Sequence, residues 1–268
     1  YGNFLPDSAV KGKYGPDLTT DSVLSFVKRN QSRNFFVYYP IALCHYPYSP
    51  TPDDPEFATW KRKDTDTLFF PSMIKYMDKK VGQIVDSLKA WGLFYNTIIM
   101  VCGDNGTPRH IHFTNNGNEI EGGKGETNET GTHVPLVVSW PKMISGGLVN
   151  NNVVDFTDFL PTCAEAAGQA ISADYGIIDG VSFYNQFLGD NSLARDWVFC
   201  HYQPNTHNGN NKLTRWINNA SYKLYDSSRR LYNIALDPGE TKPLKNSTLT
   251  PDEKKLKKEF QSVMDTLH

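Results

Sequence analysis

Apolar side chains recur every three or four positions in three stretches of the chain, which predicts three amphipathic helices. The longest stretch, residues 66–92, ends at Gly92, a residue type that often closes a helix. Its apolar stripe comprises Ile74, Met77, Val81, Ile84 and Leu88. A shorter stretch, residues 17–30, offers Asp and Thr side chains as N-caps, and residues 251–268 predict a terminal helix that begins after Thr250.

Three continuous runs of apolar or aromatic residues, at 34–40, 97–102 and 134–140, predict strands. The second and third runs lack polar alternation, as expected of parallel strands that are buried on both faces. Strands and helices alternate along this part of the chain. That order predicts an α/β layer structure whose polar loops, at the carboxyl ends of the strands, bind ligands.

The pattern changes after Gly180, where short aromatic segments are separated by turn residues. Four such segments lie at 197–202, 213–218, 222–226 and 230–234. They predict a small antiparallel sheet on which the terminal helix packs. The predicted fold is therefore α/β, with helices around a mostly parallel sheet in residues 1–190 and a small α+β subdomain in residues 191–268.

Composition excludes several classes of function. The 268 residues, of which 39% are hydrophobic, are enough for one substantial core and a small satellite domain. A net charge of −2 leaves no excess of Lys or Arg for nucleic acid, and no apolar run approaches the roughly 20 residues of a membrane span. The four cysteines form no C-x-x-C pair, so free thiols and one or two disulfides both remain open.

A Gly-Asp-Asn-Gly motif at 103–106 directly follows the strand predicted at 97–102. Asp104 and Asn105 place a carboxylate and an amide oxygen side by side, and both are hard ligands suited to Ca²⁺ or Mg²⁺. We therefore consider these two residues candidate metal ligands. The alternative is an ordinary turn, since Asp, Asn and Gly dominate tight turns.

A second motif, Gly-Gly-Lys-Gly at 122–125, combines glycines with one positive charge. Glycines allow a ligand to approach the backbone, and Lys124 would suit an anionic oxygen group. The alternative is a flexible loop with a solvated lysine. The spacing does not match a phosphate-binding loop of the G-x-x-x-x-G-K-[ST] type, which excludes an ATP site of that kind.

Histidines supply the remaining candidates. His45 lies five residues beyond the strand predicted at 34–40, where it could donate a hydrogen bond to an anion or act as an acid. His133 is a second candidate for substrate binding, and Arg109, near the metal motif, is a weaker one. A lone loop histidine is more often structural than catalytic.

Taken together, these motifs resemble the type I sulfatases of the alkaline-phosphatase superfamily, particularly the arylsulfatase A-like group. The resemblance rests on their order along the chain: His45, the long helix, the motifs at 103–106 and 122–125, Gly-Thr-His-Val-Pro at 131–135 and Asp-Phe-Thr-Asp at 155–158. It implies that Asp104 and Asn105 are two ligands of one Ca²⁺ ion. It also implies that Lys124 and His45 contact the sulfate or leaving-group oxygens, whereas many relatives carry arginine at the position of His133.

The same resemblance implies a nucleophile that this sequence does not show. Family members use a formylglycine made from the first residue of a Cys-x-Pro-Ser-Arg-type motif, and none of the four cysteines stands in one. We therefore expect this chain to be the C-terminal portion of a sulfatase, with negligible turnover unless an N-terminal segment supplies the nucleophile.

The expected function is hydrolysis of sulfate esters, on a sulfated small molecule or a glycan. A secreted or periplasmic location is implied by the resemblance. Two alternatives remain open at this point: a non-catalytic module that binds sulfated glycans, and a phosphodiesterase or phosphatase of the same superfamily.

Overall fold

The computed structural model describes residues 6–61, 64–115, 117–204 and 213–267. The chain divides into two compact units. The first comprises Tyr1–Ile99 and Trp140–Lys142, and the second comprises Met100–Ser139 and Met143–His268. The predicted boundary near residue 190 stays a prediction. Within the described ranges, no helix is both long enough and apolar enough to cross a membrane.

The first unit is helical. A short helix, α1 (Asp7–Val10), precedes α2 (Gly15–Arg29) and α3 (Phe70–Ala90), which pack against each other. Short 3₁₀ turns lie at Pro55–Ala58, Thr67–Phe69 and Phe94–Asn96. The Tyr76 hydroxyl on α3 donates to the Asp17 carboxylate on α2 at 2.8 Å, which fixes the helix pair.

Both predicted helices of this unit are confirmed, with two corrections. In the predicted apolar stripe of α3, Leu88 is buried but Ile74 is exposed. Gly92 follows α3 with a φ of +71°, a conformation that glycine adopts without strain, so it closes the helix as predicted. The second correction concerns the start of α2. The predicted Asp or Thr N-cap of α2 is wrong, because Tyr14 occupies that position without a side-chain cap bond. Proline in the first turn begins this helix instead, since its fixed φ is already helical.

The strand predicted at residues 34–40 is wrong. These residues form no regular element, and Phe36 and Tyr38 are 72% and 81% exposed. Their aromatic and β-branched composition favours extended backbone, but a strand also needs a neighbour for its N–H and C=O groups. Within the described residues, no strand pairs with this segment.

Two small sheets follow. Strand β1 (Ile99–Cys102) pairs with β4 (Leu136–Ser139), while β2 (His112–Asn115) and β3 (Asn118–Glu121) form an antiparallel hairpin. A one-turn helix, α4 (Glu129–Thr132), precedes β4. The prediction that both strands are buried on both faces is wrong, since Cys102 on β1 and Val137 on β4 are exposed. The larger, mostly parallel sheet stays a prediction.

The C-terminal part confirms its predicted architecture. Four strands lie in the order β5–β6–β7–β8 and pair antiparallel: Val198–Tyr202, Thr214–Asn218, Tyr222–Tyr225 and Leu231–Asn233. The terminal helix, α6 (Pro251–Thr266), packs on β6 and β7. His268, the end of its predicted range, lies outside the described residues. A buried apolar cluster fills the interface: Ile217, Leu224, Leu231, Leu249, Phe260 and Met264.

Helix α5 (Phe159–Ala166) follows a 3₁₀ turn at Phe156–Asp158, and further 3₁₀ turns lie at Ala173–Tyr175, Tyr184–Leu188 and Asn246–Thr248. The Asp-Phe-Thr-Asp motif at 155–158 forms a capping box at the start of this segment. Asp158 is buried, pairs with Arg195 and accepts from the Val181 amide at 2.7 Å. These contacts give the motif an architectural role, because they fix the start of α5 against the segments that carry Val181 and Arg195.

Candidate functional site

Two loops of the second unit carry four of the five predicted site residues. The acidic loop, residues 103–107, follows β1, and the lysine loop, residues 122–133, follows β3. Three backbone hydrogen bonds hold these loops against each other and against the start of β4: Gly103 N to Pro135 O at 3.1 Å, Gly106 N to Gly131 O at 3.0 Å, and Lys124 N to Thr107 O at 2.9 Å. Asp104, Asn105 and Lys124 therefore lie on adjacent backbone segments.

Three glycines of these loops lie in close contact with neighbouring parts of the chain. A Cβ atom at Gly106 would lie 2.0 Å from the Thr130 carbonyl oxygen, and one at Gly122 would lie 2.2 Å from the Pro108 carbonyl oxygen. A Cβ at Gly123 would lie 2.1 Å from the Thr130 hydroxyl oxygen. At these three positions the loops interlock without space for a side chain, so glycine is required there. That a ligand also approaches this backbone stays a prediction.

Asp104 and Asn105 have hard oxygen donors that suit Ca²⁺, but they do not complete a site. The Asn105 amide donates to the Asp104 carboxylate, so the two side chains are in direct contact. Ca²⁺ takes about six to eight oxygen ligands. In the part of the chain that the structure describes, no group of three or more His, Cys, Asp or Glu residues could hold a metal ion. The pair therefore fits as a contribution to a calcium site and not as a whole one.

Lys124 presents a free positive charge. Its side chain is exposed, and among the described residues it forms no ion pair. Arg109, the weaker candidate, differs, because its guanidinium pairs with the carboxylate of Glu126 in the lysine loop. The structure therefore leaves Lys124 available to an external anion, whereas the charge of Arg109 is already balanced.

His133 directly follows α4. Its Nδ1 atom lies 3.1 Å from a carboxylate oxygen of Glu129, and the imidazole is exposed. The hydrogen bond to Glu129 raises the pKa of His133, the negative charge of Glu129 acts in the same direction, and partial desolvation opposes both. Because the charged form is favoured, the pair stabilises the fold below the ordinary histidine pKa, and this contribution is lost as the pH rises through the raised pKa.

His45 belongs to the first unit, while the other four predicted site residues belong to the second. The ring is exposed, and its Nδ1 atom lies 2.6 Å from the Tyr46 carbonyl oxygen. In this arrangement Nδ1 carries a proton and donates, which directs Nε2 away from the backbone. That His45 shares one site with Lys124 stays a prediction.

The four cysteines are free thiols. Burial raises the pKa of each thiol, to about 11 for Cys44, and at Cys102 the charge of Asp104 adds to the effect of burial. All four are therefore protonated near neutral pH. This agrees with the absence of a nucleophile motif at any cysteine of the sequence.

Sequence reasoning missed a buried polar cluster beneath the lysine loop. The ammonium of Lys223 donates to the Thr127 carbonyl oxygen in that loop and to the Glu240 carboxylate, the latter at 2.9 Å. A lysine inside the apolar strand Tyr-Lys-Leu-Tyr was the available signal, because a buried lysine requires partners.

Two family models and several curated proteins are similar to this chain. The sulfatase family model matches residues 3–169, and the model of the C-terminal part of N-sulphoglucosamine sulphohydrolase matches residues 124–267. A sulfatase of Formosa agariphila is 29% identical over 85% of this chain and 45% of its own length. The steryl-sulfatase of Mus musculus is 27% identical over 75% of this chain and 31% of its own length.

The fold is similar to that of solved structures as well. The crystal structure of Ps i-CgsB in complex with k-i-k-neocarrahexaose superposes with a TM-score of 0.70 and 24% identity. The match covers 94% of this chain and 54% of that one. The chain thus spans about half the length of the solved structure and less than half the length of the two curated relatives. The extent of the match to the family model shows that this chain belongs to the sulfatase family.

Proposed function

We propose that this chain contributes the calcium-binding and sulfate-binding half of a site that hydrolyses sulfate esters. The observation that carries the proposal is the interlocking of the acidic and lysine loops, which holds a carboxylate–amide pair and a free ammonium on neighbouring backbone. Asp104 and Asn105 would contribute oxygen ligands to one Ca²⁺ ion. When bound, that ion would add positive charge at the sulfate oxygens.

The side chains of this chain would act on the sulfate by position and charge. Lys124 would neutralise a peripheral oxygen with its ammonium, as a compact point charge. His45 would act through Nε2, because Nδ1 is engaged with the Tyr46 carbonyl oxygen. Nε2 carries a proton only in the imidazolium form, so donation to the leaving-group oxygen requires a charged His45. His133 would be a further contact for the substrate, through Nε2, because Nδ1 lies against Glu129.

The substrate is proposed to be a sulfated glycan, with a sulfated small molecule as the other possibility. Support comes from the similar fold of a protein solved with a hexaose ligand. The resemblance to sulfatases also implies a secreted or periplasmic location, which remains a prediction.

A non-catalytic module that binds sulfated glycans is the second candidate. The observation in its favour is that none of the four cysteines stands in a nucleophile motif, while Lys124 is exposed and could still contact an anion. The phosphodiesterase or phosphatase alternative has no such observation to support it.

Sulfate binding by Lys124 is testable with a matched pair of variants. Lys124→Ala should weaken the binding of sodium sulfate at least about tenfold, since a charge-assisted contact is lost. Lys245→Ala, which removes an exposed lysine from the same unit, should leave the affinity unchanged. The measurement is isothermal titration at constant ionic strength. Equal losses in the two variants, or no loss in either, would refute the assignment of Lys124.

A further inference from the structure

We propose that three side chains of the C-terminal sheet and its following loop act as positioning residues that set the conformation of the lysine loop: the buried side chains of Lys223 and Glu240 and the partly buried Tyr225. This inference rests on the proposed function only in giving Lys124 its role. The contacts themselves lie within the second unit, and they join strand β7 to Thr127, three residues beyond Lys124.

The central contact is an ammonium that has no access to water. Lys223 is 0% exposed, and its Nζ atom donates to the Thr127 carbonyl oxygen and to the Glu240 carboxylate. The same ammonium lies 4.7 Å from the centre of the Trp216 ring and 5.4 Å from that of Tyr225. The charge therefore lies among two oxygen acceptors and two aromatic rings.

Tyr225 makes a second connection to the same loop residue. Its hydroxyl lies 2.9 Å from the Thr127 hydroxyl oxygen and donates to the other Glu240 carboxylate oxygen at 2.5 Å. Burial is the main cause that raises the pKa of Tyr225 far above its ordinary value, with the Glu240 hydrogen bond adding to it. The phenol therefore remains a hydrogen-bond donor at every pH at which the protein is used.

Energetics favour a positioning role over a purely stabilising one. A buried ion pair contributes little to stability compared with apolar side chains of similar volume, because desolvation offsets its attraction. Its geometric requirement is strict, however, since a displaced Thr127 carbonyl would leave the ammonium short of an acceptor. The cluster therefore penalises any alternative conformation of the loop at Thr127.

The short distance along the chain transmits this constraint to Lys124. The Glu126 amide donates to the Gly123 carbonyl oxygen at 2.8 Å, which closes a tight turn that contains Lys124. The Tyr202 hydroxyl on β5 also reaches the Gly125 carbonyl oxygen, at 3.4 Å. The turn that presents Lys124 is thus held from the sheet at two places.

The test compares two identical substitutions on one strand. Tyr225→Phe removes the hydroxyl that contacts the loop, whereas Tyr222→Phe removes a hydroxyl that contacts Glu253 on α6. Hydrogen exchange followed by mass spectrometry on the intact chain should show roughly fivefold faster exchange across residues 122–133 in Tyr225→Phe, with α6 unchanged. Tyr222→Phe should leave the exchange of the lysine loop at the wild-type rate.

A second variant distinguishes a change in the lysine loop from loss of the fold. The double substitution Lys223→Met with Glu240→Gln removes both charges together, so no unpaired charge is buried. It should retain the exchange pattern of α6 while accelerating that of the lysine loop. If neither variant accelerates the loop more than the helix, the cluster is merely structural and the inference is overturned.

Sulfate titration separates this inference from the proposed function. Tyr225→Phe should weaken the binding of sodium sulfate severalfold if Lys124 binds sulfate. If wild-type protein and Lys124→Ala bind sulfate equally, the proposed function fails, but the exchange result still decides the positioning role. In Tyr225→Phe, exchange of the lysine loop could accelerate while the affinity for sulfate stays at the wild-type value. That result would overturn the link between loop conformation and sulfate binding by Lys124.

Discussion

At the scale of single residues, two glycines determine how closely the acidic loop and the lysine loop pack. Gly106 and Gly131 pack backbone against backbone, with a Gly106 N to Gly131 O hydrogen bond of 3.0 Å between them. A Cβ at Gly131 would lie 2.3 Å from the Glu126 carbonyl oxygen. The acidic loop and the lysine loop therefore keep their relative position only if both glycines are retained.

Gly106→Ala should destabilise the second unit by about 2 kcal/mol or more, because the new methyl group would displace the Thr130 backbone. Gly146→Ala is the matched control: it lies in the same unit, and a Cβ there has no neighbour within 4 Å. The control should change stability by less than about 0.5 kcal/mol in urea denaturation. Equal effects at the two positions would contradict the close packing of the loops.

At the scale of elements, the C-terminal helix shows how local signals determine structure. The Thr250 hydroxyl accepts from the Glu253 amide at 3.2 Å, and the Glu253 carboxylate accepts from the Thr250 amide at 2.8 Å. This capping box satisfies backbone donors that would otherwise lack partners at the start of α6. The helix then buries Phe260 and Met264 against the sheet.

Thr250→Ala should lower the free energy of unfolding by about 1 kcal/mol, since it removes the cap of α6. Ser262→Ala, at an exposed position within the same helix, should be neutral or slightly stabilising because alanine has the higher helix propensity. Circular dichroism during urea denaturation measures both. A loss at Ser262 equal to that at Thr250 would refute the role of the cap.

The elements that could be predicted from sequence are those whose signals are local. Helix α3 has a complete apolar stripe and a closing Gly92, and the strands of the C-terminal sheet are short aromatic runs bounded by turns. The β2–β3 hairpin was missed although an Asn-Gly pair at 116–117 signals such a turn. Its strands are mostly polar, as at His112 and Glu121, so they lack the apolar alternation of a half-buried strand.

Contacts between distant residues could not be predicted in the same way. The candidate ligands Asp104 and Asn105 and the candidate cation Lys124 were found from motif composition. The partner of Lys223 was not, because Thr127 lies 96 positions away in sequence. For residues 34–40, composition predicts a strand, but among the described residues no strand pairs with this segment. Sequence patterns report a residue's preference for a conformation, not the identity of its neighbours.

At the scale of the whole molecule, the chain carries two interlocked loops that we propose bind Ca²⁺ and an anion. It spans 31% to 54% of the lengths of the relatives and the solved structure that it matches. Covalent catalysis of sulfate transfer requires an activated nucleophile, and none of the four cysteines stands in a nucleophile motif.

We therefore expect this chain alone to hydrolyse 4-nitrophenyl sulfate no faster than its Lys124→Ala variant does. The assay is release of 4-nitrophenol in the presence of calcium chloride. Turnover by the unmodified chain that is abolished in Lys124→Ala would contradict this expectation. Such a result would also exclude the alternative of a binding module without catalysis.

The contact between Thr127 and Lys223 has a consequence for protein engineering. A chimaera of two sulfatases could exchange the C-terminal segment that carries the small sheet of β5–β8. A crossover between residues 127 and 240 would, however, take the loop from one parent and its buried ammonium or carboxylate partner from another. Recombination libraries should therefore inherit this whole interval from a single parent.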